Sequence, residues 1–281
     1  MGVRGLYHYI KPFQKPISFN KDLHIGIDAS SLLYSFKGNF DELFNSLTQF
    51  NSKNLIFVFD GKPPASKDAE LLSRKESREL YSKRIAILKE SLNQDLNPET
   101  RQLIESRIRS LEYSGWNLTY DIKNKFKECL NIRGILYIKS NVEADTVLID
   151  LYYGQRINVI ISSDMDYLVA GVRHLWIPTK GIYKSIDLYT LLELEDVNAE
   201  QFKEAAILTG IDNIKIIDCP DMSTALNWIR YYGSIESMYK RRAHHFTLPT
   251  HNYIADIKKR YTANKDMYKY IKEHHLYKLD E

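Results

Sequence analysis

The chain has 281 residues, 44% of them hydrophobic and 27% charged, a composition that supports one large folded domain and excludes wholesale disorder. Lysine and arginine number 39 against 36 aspartates and glutamates, so net charge alone favours no class of partner. Two isolated cysteines, Cys129 and Cys219, exclude a disulfide scaffold or a cysteine-ligated zinc site, and apolar runs such as 55–59 and 159–161 are far too short to cross a bilayer.

The chain opens on Met1-Gly2-Val3-Arg4-Gly5-Leu6. This start has neither the apolar stretch of a signal peptide nor the Ser or Thr at position 6 of a myristoylation signal; an intracellular protein, with no membrane partner, is expected. Short β-rich runs then alternate with helical patterns, which predicts an α/β fold with a mostly parallel sheet flanked by helices. Strands are expected at 24–28, 55–60, 135–138 and 157–162. The segment 67–131 between the second and third carries no strand pattern. Tyr81, Ile85, Leu88 and Leu92 recur at i, i+4, i+7 and i+11. Asn97-Pro98 then caps and starts a second helix through Ile104, Ile108 and Leu111. Ile122, Phe126 and Leu130 form a third stripe leading back to the sheet. The spacing predicts a helical insertion between strands.

After the sheet, 176–183 reads as a hairpin about Lys180-Gly181. The stretches 198–210 and 221–232 read as two helices with polar caps and terminal glycines, joined by an irregular stretch. From Lys240 to Lys278 stand ten basic residues against three acids. A basic helical tail, 242–281, with the run Lys258-Lys259-Arg260, fits phosphate contact. The paired histidines His244-His245 and His274-His275 read as surface residues, since no carboxylate or cysteine spacing accompanies them.

The acids are the most informative residues. Asp28 ends the first strand and Asp60 the second; Glu143 and Asp145 follow the third at the start of an amphipathic helix; Asp164 and Asp166 follow the fourth. Any one of them could be a helix N-cap or turn former. Together, strand-end carboxylates aim at the crevice outside the carboxyl ends of a parallel sheet. Converging like charges need a counter-cation, and hard oxygen donors suit Mg²⁺ or Mn²⁺. Two such ions roughly 4 Å apart would stabilise the attacking and leaving oxygens of a phosphodiester displacement.

In order along the chain stand Met1-Gly2-Val3-Arg4-Gly5-Leu6, Ile27-Asp28-Ala29-Ser30, Val58-Phe59-Asp60-Gly61-Lys62-Pro63-Pro64, Glu143-Ala144-Asp145, Ser163-Asp164-Met165-Asp166 and Thr209-Gly210-Ile211-Asp212. This series resembles the flap endonuclease/XPG family of structure-specific 5′ nucleases over roughly residues 1–240. The resemblance implies a PIN-like nuclease domain over 1–241. Within it fall a helical arch, 67–131, and a degenerate helix-hairpin-helix-type element, 198–240, in which the family's glycine-rich loop is replaced by Ile216-Ile217-Asp218-Cys219-Pro220-Asp221. It further implies that Asp28, Asp60, Glu143, Asp145, Asp164, Asp166 and Asp212 bind two Mg²⁺ ions, which Mn²⁺ can replace. Lys67 and Arg74 match the family's basic pair that stabilises the transferring phosphate; the start of a surface helix is the other reading. Tyr34 stands where the family stacks a base, with core packing an equal alternative, and Gly2 lies close to the site.

The expected activity is hydrolysis of DNA flaps, nicks, ends or junctions in replication, repair or recombination. The alternatives are a 5′ exonuclease on RNA or RNA–DNA hybrid and a non-catalytic nucleic-acid-binding scaffold. No peptide of the kind that docks a sliding clamp is recognisable, and a nuclear or viral replication site fits such an activity.

Overall fold

The structure, a computed structural model, describes residues 3–17, 22–63, 67–179, 181–210 and 219–241. Gly2, residues 211–218 with Asp212, and residues 242–281 with Lys258, Lys259, Arg260 and both histidine pairs lie outside the described residues.

Five parallel strands make the centre of one sheet: β2 (Ile25–Asp28), β3 (Leu55–Phe59), β4 (Leu136–Lys139), β5 (Val159–Ile161) and β6 (His174–Thr179). Strand β7 (Ile182–Asp187) folds back antiparallel on β6, as the Lys180-Gly181 hairpin signal predicts, and the two-residue β1 (Lys15–Pro16) lies antiparallel along β7. The lateral order is β1-β7-β6-β5-β2-β3-β4. Strands β2, β3 and β5 are shorter than the sequence pattern suggests, and β4 is shifted by one residue. Strand β3 stops at Phe59, leaving Asp60 just beyond the ladder, and β5 covers only Val159–Ile161.

Alternation along the strands sorts side chains to two faces. Ile56, Val58 and Ile160 join a core built with α1 (Leu6–Ile10), α7 (Ala144–Tyr153), α8 (Asp166–Val169), α9 (Leu188–Leu194), α10 (Ala199–Thr209), α11 (Met222–Tyr232) and α12 (Ile235–Lys240). Ile25, Ile27, Phe57, Phe59, Val159 and Ile161 join a second core with α2 (Ala29–Ser35), α3 (Phe40–Leu47) and α6 (Tyr120–Ile132). Phe126 of α6 is fully buried and meets the rings of Phe40, Phe44 and Phe57 at centroid distances of 5.2, 5.4 and 5.3 Å.

That packing divides the 67–131 segment. The α4 helix (Asp68–Ser91) and α5 (Pro98–Gly115) pair with each other as a hairpin. The α4 stripe Tyr81, Ile85, Leu88 and Leu92 is only half-buried. At 1.5 Å per residue the 24-residue α4 is about 36 Å long. Asn97 caps α5 by accepting the Thr100 N–H at 2.8 Å. The third helix, α6, belongs to the sheet's flank, because its Phe126–Leu130 stripe is buried against β3. The arch-like part is therefore α4–α5 alone.

Candidate active site

The chain leaves β2 toward β3 and β4 on one side, then returns to β5 and β6 on the other. The carboxyl ends of β2 and β5 thus form the topological switch point, the place at which sheets of this kind bind ligands. Asp28 is the last residue of β2, Asp60 follows β3, and Asp164 follows β5.

Each acid is held by named partners. Asp28 Oδ1 accepts the Ser31 N–H at 2.9 Å and so caps α2; Oδ2 accepts the Ser162 hydroxyl at 3.2 Å and, more loosely, the Tyr167 hydroxyl at 3.4 Å. Asp60 Oδ2 accepts the Ser30 hydroxyl at 2.5 Å. Its Oδ1 accepts the Ala144 N–H at 3.1 Å, capping α7, whose own N-cap residue Glu143 makes no capping bond. Asp164 Oδ1 accepts the Asp166 N–H at 3.1 Å at the start of α8, and the Asp164 N–H donates to Ser162 Oγ at 3.0 Å. Asp145 Oδ1 accepts the N–H of Thr146 at 2.6 Å. Glu143 is ion-paired with Lys67. Asp166, the first residue of α8, is buried.

Gly61 joins two of these elements. A Cβ there would lie 2.5 Å from both the Asn141 carbonyl carbon and the Ser140 oxygen, and the Gly61 N–H donates to the Val142 oxygen at 2.8 Å. Only glycine lets the loop after β3 approach the loop after β4 this closely, which sets Asp60 beside the start of α7.

The electrostatics are those of crowded negative charge. Burial, and next the charge on Asp60, push the Asp28 carboxyl up to about 7; Asp164 adds to the rise, while the Ser31 N–H and the Ser162 hydroxyl oppose it. Tyr167 is fully buried. Burial raises its phenol well above the ordinary value, and the charges of Asp28, Asp145, Asp164 and Asp60 raise it further. The charge of four carboxylates thus bears on one phenol at the switch point. Their oxygens and their surplus charge suit a hard divalent cation. Among the described residues, no three His, Cys, Asp or Glu side chains stand in metal-holding geometry. Of the six expected acids among the described residues, Asp28, Asp60, Asp145 and Asp164 form a charge cluster and not a closed ligand cage: Asp60 turns an oxygen to Ser30 and Glu143 turns to Lys67, while Asp212 lies outside the described residues.

The basic pair sits at the foot of the arch. Lys67 is the N-cap residue of α4, and Arg74, half-buried, follows at i+7 on the same face. Tyr34 on α2 is 37% exposed and meets Trp116, at the end of α5, edge-on with centroids 5.1 Å apart. It is neither a core residue nor fully free; it props the second foot of the arch. Lys37 joins it, its ammonium 4.3 Å from the Tyr113 ring centroid and 5.7 Å from that of Trp116. At the N-terminus, Arg4 donates its N–H to the Gly210 oxygen at 3.0 Å, tying the first residues to the end of α10, just before Asp212.

Sequence reasoning passed over Ser30, Ser31, Ser162, Ser163 and Tyr167. The hydroxyls of Ser31 and Ser163 stand 2.7 Å apart, stitching α2 to the loop after β5. The signal was present: each hydroxyl lies within three residues of a strand-end acid in sequence.

No family model matches the chain. A flap endonuclease 1 of Entamoeba histolytica is 28% identical over 200 residues, covering 69% of this chain and 50% of its own length. A flap endonuclease 1 of Zea mays is 30% identical over 189 residues, covering 65% of this chain and 47% of its own. The chain therefore spans about half the length of these curated relatives. Among solved structures, the catalytic core of Rad2 in complex with DNA substrate superposes with a TM-score of 0.60 at 19% identity, covering 92% of this chain and 77% of that one. The fold is the same.

Proposed function

The chain belongs to the flap endonuclease/XPG family, and from that premise we propose that it is a divalent-metal-dependent, structure-specific 5′ nuclease hydrolysing phosphodiester bonds in DNA flaps, ends or junctions. The observation that carries this reading is that Asp28, Asp60 and Asp164 stand at the carboxyl ends of β2, β3 and β5 at the switch point of the sheet, with Ser162 bonded to both Asp28 and Asp164 and Asp60 bonded to the first N–H of α7.

Asp28, Asp60 and Asp164 would hold the Mg²⁺ or Mn²⁺, two ions in this reading, with Glu143 and Asp145 at the start of α7, Asp166 at the start of α8, and Asp212. A divalent cation held there activates water near neutral pH and offsets the charge developing on the phosphate. The chain supplies orientation. Ser162 fixes one oxygen of Asp28 and the N–H of Asp164, Ser30 fixes Asp60, and the two capped helices keep those carboxylates from turning away. Lys67 stands beside Glu143; in this reading its ammonium turns toward a non-bridging phosphate oxygen, with Arg74 on the same face of α4 seven residues on. A preorganised cation there favours the transition state over the ground state. The α4–α5 hairpin rises from this rim and would admit a single strand in preference to a duplex. DNA is the substrate favoured, as in the Rad2 complex, and Lys258-Lys259-Arg260 adds phosphate contact in this reading.

The decisive experiment supplies the purified protein and Mg²⁺ with end-labelled single strand, duplex, nick, flap, junction and RNA substrates. Flap or junction DNA should be cut and Asp164→Asn should not cut it, while retaining fold and Ca²⁺-supported binding. Cleavage by Asp164→Asn at the wild-type rate refutes the assignment.

A further inference from the structure

Beyond the acid cluster, one surface at the same end of the sheet combines cations with aromatic rings. Tyr120, Lys123 and Lys127 recur at i, i+3 and i+7 and share one face of α6. That face flanks the buried Phe126 and Leu130, so the three are carried by a helix locked into the core. Lys139, the last residue of β4, joins them from the sheet edge. The Lys127 ammonium lies 4.9 Å from the centroid of the Phe59 ring, and the Lys139 ammonium 5.9 Å from that of Tyr137. These two rings meet edge-on, 5.7 Å apart. Lys139 is the strand partner of Phe59, the residue before Asp60. The cations therefore stand next to the acid cluster along the sheet's rim.

The three ammonium groups repel one another. Partial burial lowers the Lys127 pKa, and the charges on Lys139 and Lys123 lower it further. A polyanion laid across them would relieve that repulsion. Tyr120 is 74% exposed and follows directly on the second foot of the arch. Its ring offers a stacking platform to an unpaired base, which a duplex does not present. From Tyr120 to Lys127 is about 10 Å along the helix, room for two or three nucleotides at a spacing of ~3.4 Å or somewhat more.

The geometry points to Tyr120, Lys123, Lys127 and Lys139 as a track for single-stranded nucleic acid, running from the arch foot to the β4 edge. The assignment of that strand to the 5′ end leaving the cleavage site rests on the nuclease reading; the affinity for a single strand does not.

Binding of a labelled oligothymidylate of about ten nucleotides to the full chain in EDTA, measured by anisotropy at several salt concentrations, tests the track, with a blunt duplex as the comparison. Each single-strand phosphate neutralised contributes about 0.7 to the slope of log affinity against log salt. Changing Lys123, Lys127 and Lys139 together to Gln should lower the single-strand slope by about 2 and leave the duplex slope unaltered. Tyr120→Ala should weaken single-strand binding roughly 5- to 100-fold. Lys139→Gln alone, at an exposed position, should remove about 0.7 of the slope, so the test stands even if the triple variant misfolds. An unaltered single-strand slope, an equal loss on duplex, or no single-strand binding by the wild type overturns the track. Because no divalent metal is present, failure to cut a flap in Mg²⁺ would refute the nuclease reading and leave the slopes alone to decide this one.

Discussion

Replacing Asp28 by Asn should stabilise the metal-free protein at neutral pH and abolish catalysis. Burial and the Asp60 charge raise the Asp28 carboxyl from 3.8 to about 7, whereas in the unfolded chain it titrates near 3.9. Between those values the folded state binds the extra proton, so stability is fully present below about pH 4 and is lost as pH rises toward 7. At about 1.36 kcal/mol for each pH unit, this one group costs at most about 4 kcal/mol by pH 7, less whatever the site recovers by relaxing. Asn keeps the cap on α2, since its amide oxygen still accepts the Ser31 N–H. It removes only the charge. Urea unfolding in EDTA across pH 4–8 should therefore give a difference between variant and wild type that is near zero at the acid end and grows to about 2–4 kcal/mol by pH 7–8. Taking the difference cancels the other titrating groups. Adding Mg²⁺ should stabilise the wild type and not the variant, closing the gap. Wild-type and variant stabilities that run parallel across this range would refute the account of the acid cluster.

Three further changes test the surroundings. Lys67→Ala should lower the single-turnover rate on a bound 5′ flap by ~10²–10³-fold with a smaller loss of affinity in Ca²⁺; loss of affinity alone would make Lys67 a mere phosphate holder. Gly61→Ala forces the loop after β3 off the Ser140–Asn141 backbone and should destabilise by about 1–3 kcal/mol while also lowering the cleavage rate; thermal melts and rate assays read both, and an unchanged melt would refute the close approach. Phe126→Ala removes a fully buried ring from the second core and should cost about 3–5 kcal/mol in urea unfolding, whereas Leu103→Ala, at a 72% exposed position on the arch, should cost little.

The frame of the sheet was legible because its signals are local. Apolar runs such as 55–59 and 159–161 mark buried strands, and caps announce themselves: Asn97 before Pro98, Asn198 before α10 with Gln201 completing a capping box, Asp221 before α11. The lateral order of the strands and the sorting of α6 to the sheet were less legible. A stripe of Ile122, Phe126 and Leu130 reads as one helix face wherever that face is buried; only the ring contacts with Phe40, Phe44 and Phe57, supplied by distant segments, place it in the core and not on the arch. The short helices α1, α2 and α3 escaped for a related reason. With five, seven and eight residues they are held by packing against the sheet, and isolated propensity at such lengths carries little information.

At the acids, the plain structural reading and the chemical one turn out to be the same fact. In a sheet of parallel strands the helices that follow begin where the strands end, so helix N-termini and strand-end acids share one rim. Asp28 caps α2, Asp60 caps α7 from the end of a neighbouring strand, and Asp164 accepts the first N–H of α8. An N–H at a helix start attracts a carboxylate, and three of them draw three carboxylates to one crevice despite their mutual repulsion. Capping uses one oxygen of each. The second oxygen of Asp28 and of Asp60 takes a serine hydroxyl, a neutral partner that a hard cation can displace far more readily than it could displace a lysine. Glu143 is the exception, since Lys67 holds it, and in the proposed function that lysine is the one that meets the phosphate. In that reading Glu143 would serve a bound cation in place of Lys67, leaving the ammonium at the start of α4 to answer the charge of the substrate. The same helix starts that stabilise the fold thus set the spacing, the orientation and the charge of the site.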